Sequence, residues 1–444
     1  MAPSTPSTTS TSFQDLPGTE DWRVLGRGAA AWFAARSHSD AALLARAVGE
    51  LCRDGDTAPP DLDVRSTGVQ VRLGADTRVT AVHADLARAI SDTARGLGLE
   101  PQPGVLRELG LVVDTQHLEG VRAFWESALG YERHDQDGLA DPLRRHPLLR
   151  LQRMDAPRPL RNRLHLDSVA AQPVASGTVD RLAAGGADVA HHGYYATVAD
   201  EEGNEVDILP LPEDADRWDA PETDDWRLVF SAVAVYPAAT LEQATRLVTV
   251  AAEIADRAGL PLLLDVRPAR SAGHPVGGPE ETVVVLDTGK DRCEMDEGYL
   301  PLCQRVQREA RSLGLTAAPE RARFIQVGID AADVATTRSF WQAVLGYEPD
   351  PRGGVTDIVD PRRLGPVLFF QPLDLEETER RTQRNRLHLE AVVPHDVAAA
   401  TVSTGLRAGG VLVRDHGPAS WTLADPEGNE IDIVAGAARE EHRV

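Results

Sequence analysis

His165 and His388 sit in two near-copies of one phrase, RNRLHLDS from Arg161 and RNRLHLEA from Arg384. Each phrase is followed by a second motif, EGNEVDI from Glu202 or EGNEIDI from Glu427, which supplies Glu205 and Asp207 to one copy and Glu430 and Asp432 to the other. Imidazole changes charge near neutral pH. A carboxylate beside it can hold its N–H or serve as a base. On a regular strand Asp207 shares a face with Glu205, and Asp432 with Glu430. Three readings follow: the histidine acts on something outside the chain, it bonds a neighbouring acid, or the phrase persists because its arginine pairs with an acid where two pieces of the fold meet.

Other candidates are weaker. His191 and His192 are adjacent in a stretch expected to be a loop. On a strand they would point oppositely, so a surface placement is expected. Gly26 and Gly28 of VLGRGAA do not follow a strand as a phosphate loop would. The run ERRTQRNR from Glu379 reads as a solvated face. Trp125 and Trp341 fall on helices and read as core.

The elements that must carry these residues are themselves repeated. DWRVL at Asp21 returns as DWRLV at Asp225, and LDVR at Leu62 returns at Leu264. RGLGL at Arg95 returns as RSLGL at Arg311, and FWESALGYE at Phe124 as FWQAVLGYE at Phe340. The order is kept while the offset drifts between 202 and 225 residues, which marks a duplication of nearly the whole chain with loop insertions. The longest insertion is expected near ARSAGHPVGG, from Ala269 to Gly278.

Each half divides again. Its first part carries helical periodicity in DAALLARAVGELC and HADLARAISDTARGLGL, around a strand TGVQVRLG in which Val69, Val71 and Leu73 alternate with polar residues. The second copy repeats this with LEQATRLVTVAAEIADRAG, ETVVVLD and LPLCQRVQREARSLGL. The second part opens on a strand, RELGLVVD or RFIQVGID, continues with a helix ending in Leu-Gly, and closes the first half on a strand in EGNEVDILPL. PETDD near Pro221 reads as the linker.

Composition narrows the function classes. The chain has 444 residues, 42% of them apolar, enough for several packed cores. Its net charge of -23 repels phosphate backbones, so no nucleic-acid partner is expected. The three cysteines are too scattered for a disulfide framework, and a reducing cytoplasm fits. No apolar run is long enough to span a bilayer, so no membrane partner is expected. The opening MAPSTPSTTSTSFQ lacks the features of a secretory signal and reads as a disordered polar tail.

The second part of each half resembles the vicinal oxygen chelate superfamily, in particular its glyoxalase-like domains. The residues that carry the resemblance are FW…LGYE, NRLHL followed by an acid, and the Glu-Gly-Asn-Glu motif. The first part resembles a pterin-4a-carbinolamine dehydratase domain, carried by PPDLDVRSTGVQVRLGAD and DLARAISDTA. It departs from that family where chemistry would sit. Ala58 and Pro59, and Gly259 and Leu260 or their neighbours, stand in place of a histidine pair, and Ala75 replaces a later histidine. A packing or interaction role is expected instead of dehydration.

The resemblance implies an α+β protein: two glyoxalase-like domains of paired βαβββ modules and two small α+β dehydratase-like domains. The expected blocks are a tail at 1–18, small domains at 19–104 and 225–318, glyoxalase-like domains at 105–213 and 319–438, and a linker at 214–224. It also implies a divalent metal (zinc, nickel, iron, manganese or cobalt) held in a cup by donors from the first and last strands of each module. Nitrogen and oxygen donors suit such ions, and open positions admit a chelating substrate.

On that basis His165 with Glu205, and His388 with Glu430, are expected to face each other across cups. The module-one positions are Gly110 in the first half and Gln326 in the second. The other module-one strand falls near Arg150 to Gln152 and Phe369 to Gln371, with Gln152 and Gln371 as weak donors. The second half is therefore expected to assemble Gln326, His388 and Glu430, with Glu430 as ligand or catalytic base. The first half is expected to be poorer. The implied function is a metal-dependent lyase, isomerase or dioxygenase acting on a small organic molecule, as monomer or homodimer. A sequestering protein without turnover is the alternative, and a pterin-binding or scaffold protein a second one.

Overall fold

The computed structural model describes residues 13–53, 58–74, 79, 81–270 and 280–436. Most of the expected polar tail, Ala75, residues 271–278 of the insertion and the end of the last block lie outside them. Among the described residues no helix is long and apolar enough to cross a membrane.

The repeated second parts each fold into two βαβββ modules. In the first half these run from Glu108–Thr115 to Leu148–Arg153, and from Leu164–Ala170 to Glu205–Leu209. In the second half they run from Arg323–Ala331 to Val367–Pro372, and from Leu387–Val393 to Glu430–Ala435. The helix in each first module, Leu118–Leu129 or Val334–Leu345, ends on a glycine in the left-handed region, Gly130 or Gly346. Trp125 and Trp341 on these helices are fully buried, as their spacing predicts.

The modules do not pair within a half. The Leu164–Ala170 strand of the first half runs antiparallel to Arg323–Ala331 of the second, with His165 opposite Gly328 and Asp167 opposite Gln326. Leu387–Val393 of the second half runs antiparallel to Glu108–Thr115 of the first, with His388 opposite Val112 and Glu390 opposite Gly110. Each of the two eight-stranded sheets is thus built from one module of each half. This corrects the expected grouping: Gln326 joins His165, and Gly110 joins His388.

The repeated phrase locks this exchange. The Asn162 side-chain oxygen accepts the backbone N–H of Arg386 at 2.8 Å, and that of Asn385 accepts the backbone N–H of Arg163 at 2.9 Å. Arg163 donates to Asn429 at 3.0 Å and Arg386 to Asn204 at 2.9 Å, which ties each phrase to the Asn-Glu motif of the other half. Both arginines are fully buried, so their donors must be met inside the protein.

The two small domains also merge. Asp61–Arg65 pairs antiparallel with Leu263–Arg270, with Asp63 opposite Asp265, and a single nine-stranded sheet results. Its helices cover one face, where Val69, Val71 and Leu73 are buried. The alternating polar residues Gln70 and Arg72 are buried too, because the other face packs toward the eight-stranded sheets. Ion pairs close that face: Arg65 to Asp265 at 2.7 Å, Arg267 to Asp63, and Arg145 to Asp265 and Asp287 at 2.7 and 2.6 Å.

Candidate metal centre

Strand alternation places His165 and Asp167 on one face of the seam strand. Parallel pairing sets Asp207 beside Asp167, and antiparallel pairing sets Gln326 on its other side. One ligand atom from each of His165, Asp167 and Asp207 fits within a 4.8 Å cluster, the one such group of His, Cys, Asp and Glu among the described residues.

The neighbours keep these donors available. His165 Nε2 lies 3.8 Å from Asp167 Oδ1, too far for a hydrogen bond. Gln326 Nε2 donates to Asp167 Oδ2 at 2.7 Å. Asp167 Oδ1 and Gln326 Oε1 are buried without a hydrogen-bond partner. Burial raises the Asp167 carboxyl to about 6, against the opposing pull of His165 and Gln326. Asp207 is partly open and accepts from Thr197 at 2.5 Å. The His165 ring packs edge-on against Phe369 at 5.5 Å. Glu205 is not in the cluster; it accepts from Arg161 at 2.7 Å.

The second cup repeats the backbone and changes the chemistry. His388 Nε2 lies 3.3 Å from Asp432, without hydrogen-bond geometry. Asp432 is held below the usual carboxylate range; burial pushes it up, but contact with His388 and the Thr422 hydroxyl outweigh that. Glu390 takes the place of Asp167 and is ion-paired by Arg150. Glu430 is gripped by Arg384 through two 2.7 Å bonds, with Arg414 at 3.4 Å. Here Gly110 offers no donor, and Arg150 and Val112 stand where the first cup has Phe369 and Gly328.

Two stretches of the chain, residues 110–209 and 326–434, match the glyoxalase-like domain family. The chain carries two glyoxalase-like segments. Each matched segment holds modules of both cups, so the units of sequence and of fold differ. No curated protein matches the chain. Glyoxalase I from Zea mays is similar over 76% of this chain and 98% of its own, at 10% identity and a TM-score of 0.39. The cppA protein from Streptococcus pneumoniae is similar over 74% of this chain and 97% of its own, at 10% identity and a TM-score of 0.33.

Of the sequence-derived candidates, the structure gathers His165 and Gln326 in one glyoxalase-like cup and His388 and Glu430 in the other, with Glu205 at the edge of the first. Gln152 and Gln371 are exposed. His191 and His192 are also exposed, as expected, with His192 stacked on Tyr195. Asp167 was not singled out from the sequence, although it lies two residues from His165 and therefore on its face. Gly328 carried no signal of its own, because its meaning depends on which strand lies opposite.

Proposed function

We propose that the chain is a vicinal-oxygen-chelate-type enzyme whose metal centre lies in the His165 cup and whose substrate is a small organic molecule. The observation that carries this reading is the convergence of His165, Asp167 and Asp207 within one ion's reach, with a buried carboxylate oxygen and a buried amide oxygen left unpartnered beside them. Buried polar atoms are nearly always satisfied, so two unpartnered oxygens beside one cluster fit a cation-binding role. One imidazole, two carboxylates and a neutral amide suit a borderline divalent ion. His165, Asp167 and Asp207 would hold it, with Gln326 Oε1 as a further donor.

Such an ion supplies Lewis acidity toward a chelating oxygen pair. The protein's own part is positioning and proton handling. Gln326 fixes the Asp167 carboxylate by one oxygen and leaves the other toward the cluster. Phe369 sets the His165 ring. Asp207, the most open of the three, is placed to exchange a proton with a bound molecule. In the second cup Arg150, Arg384 and Arg414 already neutralise Glu390 and Glu430, so we assign that cup a structural or ligand-holding role. Glu430 as catalytic base is the weaker option, since both its carboxylate oxygens are already engaged by arginines. The small domains, lacking imidazoles at 58, 59 and 259, act as the frame that holds the cups.

The test is metal content and cobalt absorption of the purified chain, followed by a substrate screen with and without chelator. Wild type should bind one ion per chain. His165→Ala and Asp167→Asn should lose it, and His388→Ala should keep it. Loss in His388→Ala alone would move the centre to the other cup. No binding of any first-row divalent ion would leave sequestration without turnover as the better reading.

A further inference from the structure

The duplication offers an internal comparison at one buried arginine. The loops from Asp141 and from Asp360 correspond, DPLRR to DPRRL, which equates Arg144 with Arg363. Both residues hold the uncommon left-handed backbone, with φ of 52° and 54°. Arg144 uses its position to grip Asp61 at 2.7 and 3.0 Å, a two-bond guanidinium–carboxylate pair. The residue equivalent to Asp61 in the other copy is Leu263, since DLDVR aligns with LLDVR. Arg363 therefore keeps the pose and has lost the acid.

What surrounds Arg363 is a cavity of about 150 Å³. Arg65, Lys290, Arg292, Arg362 and Arg363 line it, and no aspartate or glutamate does. In a chain of net charge -23 this is a strong local inversion. Arg65 is committed to Asp265, Lys290 to Asp291 and Asp357, and Arg362 lies over the Trp32 ring. Among the described ion pairs none involves Arg292 or Arg363, and neither has an interaction beyond those described. Burial, and then the Arg292 charge, hold the Arg363 guanidinium below its usual range. The nearest carboxylates acting on it, Asp360 first, act only at a distance. Two like charges facing one cavity without a carboxylate in ion-pair contact favour an anion between them.

We propose that this cavity, between the nine-stranded sheet and the Asp360 loop, is a binding site for a phosphate-bearing small molecule, with Arg292 and Arg363 as its principal contacts. An arginine fork accepts a carboxylate or a phosphate, but two cations without an ion pair on one cavity match the charge of a phosphate dianion better than that of a carboxylate. The volume leaves room for a phosphoryl group and a short organic remainder. Its lining shares no residue with the His165 cluster, so the proposal stands whether or not that cluster holds metal.

The experiment is calorimetric titration of the full chain with inorganic phosphate, and with acetate at matched ionic strength. Wild type should bind phosphate saturably, more weakly as salt rises, and acetate at least tenfold more weakly. Arg363→Leu and Arg292→Leu should each weaken phosphate binding at least tenfold. Leu263→Asp should do the same by giving Arg363 the internal partner that Arg144 has, and it should keep or raise the melting temperature. Arg36→Leu, at an exposed site, should change nothing. Absence of saturable phosphate binding by wild type in the millimolar range overturns the proposal. So does Leu263→Asp or Arg363→Leu, folded by circular dichroism, binding phosphate as wild type does. Acetate binding as tightly as phosphate overturns the phosphate assignment.

Discussion

Gly328 stands directly across the seam from His165, and a Cβ there would lie 2.3 Å from the imidazole Cε1 and 2.7 Å from Phe369. The absent side chain is what lets the ring lie in the cup. Its backbone is not in the left-handed region, so the glycine serves space and not conformation. Gly328→Ala should push His165 off its position while the strand ladder persists. We expect divalent-ion affinity to fall about 10–100-fold, the range for disturbing a ligand's support, with little change in far-ultraviolet circular dichroism. Isothermal titration with zinc or cobalt checks it. An unchanged affinity would mean that His165 is not a ligand.

Asp167 predicts a pH signature in the metal-free protein. Burial raises its carboxyl from 3.8 to about 6, so between those values the folded chain binds more protons than the unfolded one. Stability from this group is therefore fully present below the unfolded value and is lost as pH rises through about 6. Asp167→Asn keeps the shape and removes the buried charge. In chelator its unfolding free energy should match wild type near pH 4 and exceed it at pH 7, by on the order of 2–3 kcal/mol at most, read as a higher melting temperature. Adding a divalent ion at pH 7 should reverse the order. A gap that does not change with pH would count against a buried, cation-free Asp167.

The halves, the modules and the strand of each motif were legible because duplication and alternation are local signals. The exchange between halves was not. Leu164–Ala170 and Leu387–Val393 carry the same pattern of buried residues, and either could pair with either module-one strand without exposing an apolar side chain. Periodicity cannot choose between partners that look alike. That ambiguity placed Gln326 beside His388, when it lies beside Asp167. It also hid the asymmetry: the cup with the free carboxylate is the one centred on His165. Neutralisation of Glu390 by Arg150 was invisible for the same reason, since that pair joins the two halves, whereas Arg384 and Arg414 meet Glu430 within one module, a contact that periodicity does not report.

The asparagine lock should be worth a measurable part of the stability. Asn162 receives the Arg386 N–H and donates to Asn204 at 2.6 Å, all within the interior. Asn162→Ala leaves the buried Arg386 N–H without its acceptor, while the Asn204 oxygen keeps its bond from the Arg386 side chain, a loss on the order of 1–3 kcal/mol for the one unsatisfied group. Asn385→Ala should cost a similar amount. Because both sit in one network, the double variant should deviate from the sum by about 0.5 kcal/mol or more. Urea unfolding of the single and double variants reads this directly. Strict additivity would show that the two phrases act as separate anchors.

The second cup differs from the first at few positions, and those differences can be exchanged. Val112 occupies the place of Gly328, Arg150 that of Phe369, and Gly110 that of Gln326. Arg150 neutralises Glu390, which otherwise stands where Asp167 does. His388 and Asp432 are already adjacent, at 3.3 Å. The nearest atoms to a Cβ at Gly110 would be Leu148 O at 3.4 Å and the Glu390 side chain at 3.8 and 3.9 Å, so a side chain can start there without a backbone clash. The combined change Gly110→Gln, Val112→Gly, Arg150→Phe should therefore remove the Arg150–Glu390 ion pair, open space beside His388 and add an amide donor. The expected result is a second divalent ion per chain, removed by His388→Ala and untouched by His165→Ala. Arg150→Phe alone should remove the Arg150 ion pair without adding the space, and bind at least tenfold more weakly than the triple variant. Elemental analysis after dialysis against trace metal counts the ions. If the folded triple variant still binds one ion or none at His388, donor identity and space do not account for the asymmetry, and the position of Glu430 under its two arginines becomes the feature to change next.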